Sequence, residues 1–298
     1  MPAEPHPGPE QLLLGSLLRA WREASGLSPA QAAHRAATHP STLLRTENGQ
    51  TPPDPDLLTR LLRLYRPDPE DRRKAERLLR TAAADPWWHP YRDVMPAGLQ
   101  DTLALESHAS LIRIWSPGLV PDLLRTPDYA RALHRALNPH EPPAPADRAV
   151  ELLEQRTRRL THPERPAGPA RIWALLTHSA LHTAVGDRRV MTAQHAHLRA
   201  AADQRHITVQ VLPAGAPAHP LSGHGPLRLI RSRLPEAGDV VVMTALDGTR
   251  RSDDPEIVSR YLMALDLACL TAMNVRNSRA LLPGPTRSSV HRSKENLP

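Results

Sequence analysis

The chain has 298 residues, a formal net charge of +7 at pH 7, one cysteine and only 3% aromatic residues. A single cysteine excludes an internal disulfide and a zinc site built from clustered cysteines. No stretch approaches the ~18 apolar residues of a membrane-spanning helix, and the N-terminus lacks the apolar core of a signal peptide, so we expect a cytoplasmic protein with no membrane partner. The basic excess indicates either a polyanionic partner or, equally, a solvated arginine-rich surface.

The order of the sequence patterns predicts two domains. We expect an all-α helix-turn-helix domain at 11–82, followed by an α+β domain with a mixed or antiparallel sheet at 101–282. A Trp-rich linker at 83–100 should join them. The proline-rich residues 1–10 predict a disordered lead, and the Pro, Ser and basic residues of 283–298 predict a disordered tail.

Local signals predict five helices in the N-terminal domain. An apolar face with the i, i+3, i+4, i+7 spacing predicts the first helix, which ends before Gly26. Ser28 begins a capping box that predicts the second helix. Pro40 begins the third, which ends at an Asn-Gly pair at 48–49. Two Asp-Pro pairs then predict the fourth and the fifth.

The second and third predicted helices, with the short turn between them, make a helix-turn-helix unit. The second helix of such a unit, the recognition helix, enters the major groove of DNA. Residues 14–65 resemble an Xre-type helix-turn-helix domain, found in phage repressors and many bacterial regulators. They share its spacing, its caps and a Thr-Glu-Asn-Gly ending at 46–49. This resemblance implies that double-stranded DNA is a partner.

The resemblance also implies roles for individual residues. Its base-facing positions fall on Pro40, Ser41 and Arg45, although Pro40 has no side-chain donor. Its buried ion pair falls on Arg22 and Glu47. From the geometry of such a helix, we expect neighbouring residues to contact a thymine methyl group or, past the helix end, phosphate. The full set of predicted DNA-contacting residues is Pro40, Ser41, Thr42, Leu44, Arg45, Asn48, Gln50 and Thr51.

The region after residue 100 mixes predicted helices and strands. Leu105–Ile112 is predicted as a helix, and Glu256–Met273 as a long final helix. Other helices are predicted at 129–136, 149–160, 179–183 and 192–203. The predicted strands are rich in β-branched residues and bounded by Pro or Gly, and they are Ile172–Leu176, Ile207–Leu212, Leu227–Ile230 and Val240–Thr244. Pro-Gly loops suggest that the last two pair antiparallel.

This region resembles the large C-terminal domain of the antitoxin-like Xre regulators of actinomycetes, a domain of poorly defined function. The residues that carry the resemblance lie in Trp87–Tyr91, Leu119–Arg131, Val185–Gln194 and Val209–Pro213. The resemblance implies a regulator that acts with a small protein encoded alongside. Several residues differ from those usual in the family and indicate where a ligand or partner site could differ: Asp122, Arg125, Leu160, His178, Leu227 and Thr244.

Two further features suggest other chemistry. Trp87 and Trp88 could stack on single-stranded nucleic acid, but no basic residues interleave with them, so we favour anchors for the linker. His178 and His182 are four apart on a predicted helix, a spacing that can bind zinc. With 16 histidines in the chain, a chance pair is expected. We therefore predict no metal and no cofactor, and we find no arrangement of residues that predicts an enzyme.

Two classes of function follow from these observations. The first is a sequence-specific DNA-binding transcriptional regulator whose C-terminal domain forms a homodimer and senses a small molecule or a small protein partner. The second is a C-terminal domain recruited to an enzymatic or other ligand-binding task, with a vestigial helix-turn-helix. The predicted Arg22–Glu47 pair and Arg45 favour the first class. The altered residues where the family usually has an acid, His178 and Thr244, favour the second.

Overall fold

The N-terminal region is helical, as expected. The computed structural model describes residues 9–81, 86–163, 168–233 and 238–282. Each helix within the first of these ranges begins with a proline, which suits the first turn because its fixed φ is helical and its missing N–H would have no partner there. These helices are α1 (Pro9–Ala24), α2 (Pro29–Arg35), α3 (Pro40–Glu47), α4 (Pro55–Tyr65) and α5 (Pro69–Thr81).

Side-chain caps and a common core hold these helices. The Ser28 hydroxyl accepts from the backbone N–H of Gln31, and the Gln31 side chain accepts from the backbone N–H of Ser28, so the predicted capping box is present. Leucines of α1, α3 and α4 meet small residues of α2 in one buried cluster, which includes Leu14, Ala33 and Leu43. The small alanine side chains allow α2 to lie close to its neighbours.

The C-terminal region contains one mixed six-stranded sheet. Its strands are β1 (Ala109–Ser116), β2 (Arg171–Thr177), β3 (Ile207–Leu212), β4 (Leu227–Ser232), β5 (Asp239–Ala245) and β6 (Gly248–Ser252). They lie in the order β3-β2-β1-β4-β5-β6. Strands β1, β2 and β3 are parallel to one another, and β1, β4, β5 and β6 pair antiparallel in succession. The predicted α+β class is therefore confirmed.

Helices cover both faces of the sheet. They are α6 (Leu99–Ser107), α7 (Pro127–Leu137), α8 (Pro143–Thr161), α9 (His178–His182), α10 (Arg188–Ala202), α11 (Pro255–Thr271) and α12 (Val275–Leu281). Alternate residues of the sheet face two different cores. On one face, Ile112 and Ile172 pack with α7, α9 and α10. On the other face, Trp115 and Leu175 pack with α11.

The helix predicted at Leu105–Ile112 is wrong. Helix α6 ends at Ser107, and Ala109 begins β1, which pairs with β2 on one side and β4 on the other. A central strand has apolar residues on both faces, so it lacks the alternation that marks a strand in the sequence. The short edge strand β6 was not predicted either, because its sequence Gly-Thr-Arg-Arg-Ser is polar.

The other strand predictions are confirmed as β2 to β5, and β4 and β5 pair antiparallel. Helix α8 begins at Pro143, six residues before the predicted start. Prolines are tolerated in a first helical turn, where no N–H bond is lost. The predicted final helix, Glu256–Met273, is confirmed as α11, and a further short helix, α12, begins at Val275.

The segment between the two domains is packed against both of them. Trp88 is 1% exposed and shares a buried cluster with Leu12 of α1, Leu103 of α6 and Leu152 of α8. It therefore anchors the segment, and a 3-10 helix follows at His89–Val94. Two of the predicted boundaries fall inside helices, since α1 begins at Pro9 and α6 at Leu99. Residues 1–8 and the predicted tail lie outside the described residues.

Candidate DNA-binding site

The recognition helix, α3, has one buried and one exposed face. Leu43, Thr46 and Glu47 point inward and are buried. Five of the predicted DNA-contacting residues are on the exposed side: Pro40, Ser41, Thr42, Leu44 and Arg45. Ser41 and Arg45 are one helical turn apart and so lie side by side. The helix thus presents a continuous row of polar and apolar groups to a partner.

The chain leaves the recognition helix through a tight turn. The N–H of Gly49 donates to the carbonyl of Thr46 at 3.0 Å, and the N–H of Gln50 donates to the carbonyl of Arg45 at 2.8 Å. These two bonds, with Gly49 at a φ of 69°, make a Schellman motif. The turn leaves Gln50 exposed, with Asn48 and Thr51 half-buried beside it. These are the residues that we expect to meet phosphate.

Arg22 and Glu47 hold the recognition helix to α1. Arg22 Nε donates to Glu47 Oε1 at 2.7 Å, and the two side chains are 8% and 1% exposed. Burial lowers the pKa of Arg22, but the hydrogen bond and the charge of Glu47 outweigh it and raise that pKa. Burial raises the pKa of the nearby Tyr65 hydroxyl, and Glu47 raises it further. This pair fixes the orientation of the helix from its buried side.

Helix α1 also touches the end of the recognition helix through glycines. A Cβ added at Gly15 would lie 2.6 Å from the carbonyl oxygen of Thr46 and 2.7 Å from that of Glu47. A Cβ added at Gly49 would lie 2.8 Å from the Cα of Leu12. Both distances are too short for a real side chain, so glycine is required for this close approach.

Sequence reasoning missed Arg19, which lies beside this site. One of its terminal nitrogens, Nη2, donates to Asn48 Oδ1 at the end of the recognition helix. The other, Nη1, donates to Asp253 Oδ2 of the C-terminal domain at 2.7 Å. Arg19 lies three residues before Arg22 on α1, and this spacing puts both side chains on the same side of the helix. The spacing was therefore a signal in the sequence that Arg19 is near the recognition helix. Nothing in the sequence indicated the contact with Asp253.

The two histidines predicted as a possible zinc pair lie next to each other on α9. The rings of His178 and His182 have their centroids 4.2 Å apart. Burial lowers the pKa of His182, and His178 and His195 lower it further. His195 uses its Nε2 on the carbonyl oxygen of Leu181 at 2.8 Å. Among the described residues, no group of three or more His, Cys, Asp or Glu could hold a metal ion.

The residue that departs from the family at position 122 belongs to a buried ion network. Arg156 donates to Glu106 through two nitrogens at 2.6 Å and to Asp122 at 2.7 Å. Arg228 donates to the same carboxylates at 2.8 and 2.9 Å. Burial raises the pKa of Asp122, but Arg156, Arg228 and Arg125 together hold it well below its usual range. The Asp122 carboxylate therefore has structural partners within the chain.

Three of the other departures lie in different surroundings. Leu160 lies in the core beside β1 and β2, whereas Leu227 lies in the core under α11. Thr244 is exposed near the end of β5. Arg125 lies near Asp122, since its charge helps to lower the pKa of that carboxyl.

Comparisons with known families agree with this arrangement. The sequence matches the model of a helix-turn-helix domain over residues 13–75, which spans α1 to the middle of α5. It matches the model of a domain of unknown function, DUF5753, over residues 99–283, which begins with α6 and includes the whole sheet. No curated protein and no solved structure matches the chain. Within the described ranges, no helix has the length and apolar character needed to cross a membrane.

Proposed function

The chain belongs to the family defined by the domain of unknown function DUF5753, and on that premise we propose that it is a sequence-specific, Xre-type transcriptional regulator. Its helix-turn-helix domain supports DNA binding. The observation that carries the proposal is the exposed face of the recognition helix, held from behind by the Arg22–Glu47 pair. A helix that reads the major groove needs exposed side chains along one face and a fixed orientation.

Specific reading would come mainly from Arg45. A guanidinium can donate two hydrogen bonds to guanine O6 and N7, a contact worth about 1–3 kcal/mol of discrimination. Leu44, 42% exposed on the same helix, would contact a thymine methyl group, and Ser41 would bond a base edge. Asn48, Gln50 and Thr51 would position the helix on phosphate without reading sequence.

We further propose that the protein acts as a homodimer through its C-terminal domain. One short recognition helix makes few base contacts, and a two-fold dimer doubles them over two half-sites about 34 Å apart. Helix α11 supports this with a row of exposed apolar side chains. Met263, Leu267 and Leu270 are 63%, 43% and 81% exposed and lie four and three residues apart, on one face. A second copy of the chain would cover them.

The C-terminal domain would also receive the signal, from a small molecule or a small protein of the kind that antitoxin-like regulators use. Helix α1 supports such a role because it belongs to both domains. Its Leu14 lies in the helical core, whereas Leu12 packs with Trp88 and Leu103. Leu12 also touches Gly49 at the end of the recognition helix. A shift in the C-terminal domain would therefore reach the DNA-binding site directly.

Selection from a random-sequence duplex library tests this function. The full chain should enrich a two-fold motif, and fluorescence anisotropy should show tighter binding to that motif than to scrambled DNA at the same salt concentration. Enrichment of no motif would leave DNA binding without sequence specificity and would contradict the proposal.

A further inference from the structure

Arg19 connects the DNA-binding site to an acidic segment of the C-terminal domain. Its guanidinium lies between Asn48, the residue that ends the recognition helix, and Asp253, which precedes α11. Asp253 Oδ2 is 2.7 Å from Arg19 Nη1, and the two side chains are 58% and 31% exposed. Asp254 and Glu256, both exposed, follow immediately. The Asp253 carboxylate thus lies close to the end of the recognition helix, at the start of an acidic segment.

This location is where a DNA backbone would approach. The residues past the end of the recognition helix are the ones expected to meet phosphate, and Asn48 is among them. Arg19 donates a hydrogen bond to the Asn48 side chain. A phosphate that contacts Asn48 would therefore lie close to the Arg19 guanidinium. A guanidinium binds phosphate and carboxylate with the same fork of N–H donors. Asp253 therefore offers Arg19 the same kind of acceptor that DNA would offer.

We propose that Arg19 is a phosphate-binding residue and that Asp253 occupies it in the free protein as an intramolecular competitor of DNA. The inference rests on the proposed DNA-binding function and adds a regulatory element to it. When a duplex binds, a phosphate oxygen replaces Asp253 Oδ2 on Arg19 Nη1. The C-terminal domain then weakens DNA binding whenever Asp253 is held in place, and strengthens it whenever α11 and its preceding loop move away.

The exposure of the pair suits such an exchange. An ion pair between partly exposed side chains contributes little to stability and is screened by salt. Arg19 can therefore exchange Asp253 for a phosphate without a large cost in free energy. Asp253 also brings a negative charge close to a polyanion, which opposes binding until the carboxylate is displaced or screened.

The test measures binding of a mixed-sequence 30-base-pair duplex, because phosphate contacts do not depend on sequence. Asp253→Asn should bind about 3–10 times more tightly than the wild type at low salt. Its log Kd should also depend more steeply on log salt, by up to about 0.9, because the displaced Asp253 of the wild type takes up a cation that offsets the counterion released from the phosphate. Asp254→Asn is the matched control. It removes the same charge one residue further on, and asparagine preserves the cap that Asp254 provides to α11.

The Arg19→Gln variant separates two effects of Asp253: its direct contact with Arg19 and the long-range repulsion between its charge and DNA. In Arg19→Gln protein, Asp253→Asn should increase affinity no more than Asp254→Asn does. Equal effects of the two Asn variants on wild-type protein would overturn the inference, as would weaker binding by Asp253→Asn. Failure of DNA binding itself looks different, because then neither the wild type nor any variant would bind a duplex, and both proposals would fall together.

Discussion

Arg22 and Glu47, 25 residues apart in the chain, form a buried ion pair between the first helix and the recognition helix. Arg22 also donates to the carbonyl of Leu27 at 2.9 Å, so one guanidinium joins α1, the turn before α2 and the recognition helix. The second carboxylate oxygen, Glu47 Oε2, is buried without a hydrogen-bond partner among the described residues. The orientation of the DNA-binding face therefore depends strongly on this pair.

Removing one partner of the pair should be costly. We expect Glu47→Ala to lower the free energy of unfolding by about 3–5 kcal/mol, because it removes the buried partner of the Arg22 charge. Glu23→Ala is the control. Glu23 also contacts Arg22, at 3.2 Å, but its side chain is 62% exposed, so its loss should cost no more than about 1 kcal/mol. Urea denaturation measures both, and equal costs would contradict the structural role of Glu47.

The close approach of α1 to the end of the recognition helix predicts a difference between two glycines. Gly26 and Gly49 have nearly the same φ, 67° and 69°, but only Gly49 lies against Leu12. We expect Gly26→Ala to cost about 1–2 kcal/mol through backbone strain alone. Gly49→Ala should cost a further 1–3 kcal/mol or so, because the added methyl group overlaps Leu12. Similar denaturation midpoints for the two variants would show that this contact is loose.

The buried network around Asp122 predicts a pH dependence of stability. The pKa of Asp122 is depressed in the folded protein, so its contribution is present above the unfolded pKa, near 4, and is lost as the pH falls through the folded pKa. Asp122→Asn should therefore cost up to about 3 kcal/mol at pH 7. The difference from the wild type should shrink as the pH falls below about 4. A constant difference across that range in urea denaturation would contradict the assignment.

The apolar row on α11 predicts where a dimer would form. Leu270→Glu places a charge within the proposed contact and should convert the dimer to a monomer. Leu137→Glu provides a control, because Leu137 is also exposed, at 66%, but lies at the end of α7. Light scattering at micromolar concentration distinguishes the outcomes. A monomeric wild-type protein, or a Leu270→Glu variant that remains dimeric, would exclude this interface.

The helix-turn-helix unit was predictable because its signals are local. The Ser28 cap, the Pro40 start and the Asn-Gly ending each act within a few residues, and each has the expected role in the structure. Strand β1 was not predictable in the same way. Its Ile112 and Trp115 face different cores, so burial on both sides hides the strand period. The Arg19–Asp253 contact joins residues 234 apart, and no local pattern could indicate it.

The central claim is that the recognition helix reads DNA sequence through Arg45, and library selection with matched variants tests it most directly. Wild-type protein should enrich a motif with guanine at one base pair of each half-site. Arg45→Ala should relax the preference at that base pair by about 1–3 kcal/mol, whereas Gln50→Ala should weaken binding to all sequences alike. If Arg45→Ala enriches the same motif with the same affinity, or if the wild type enriches none, the account of this site is wrong.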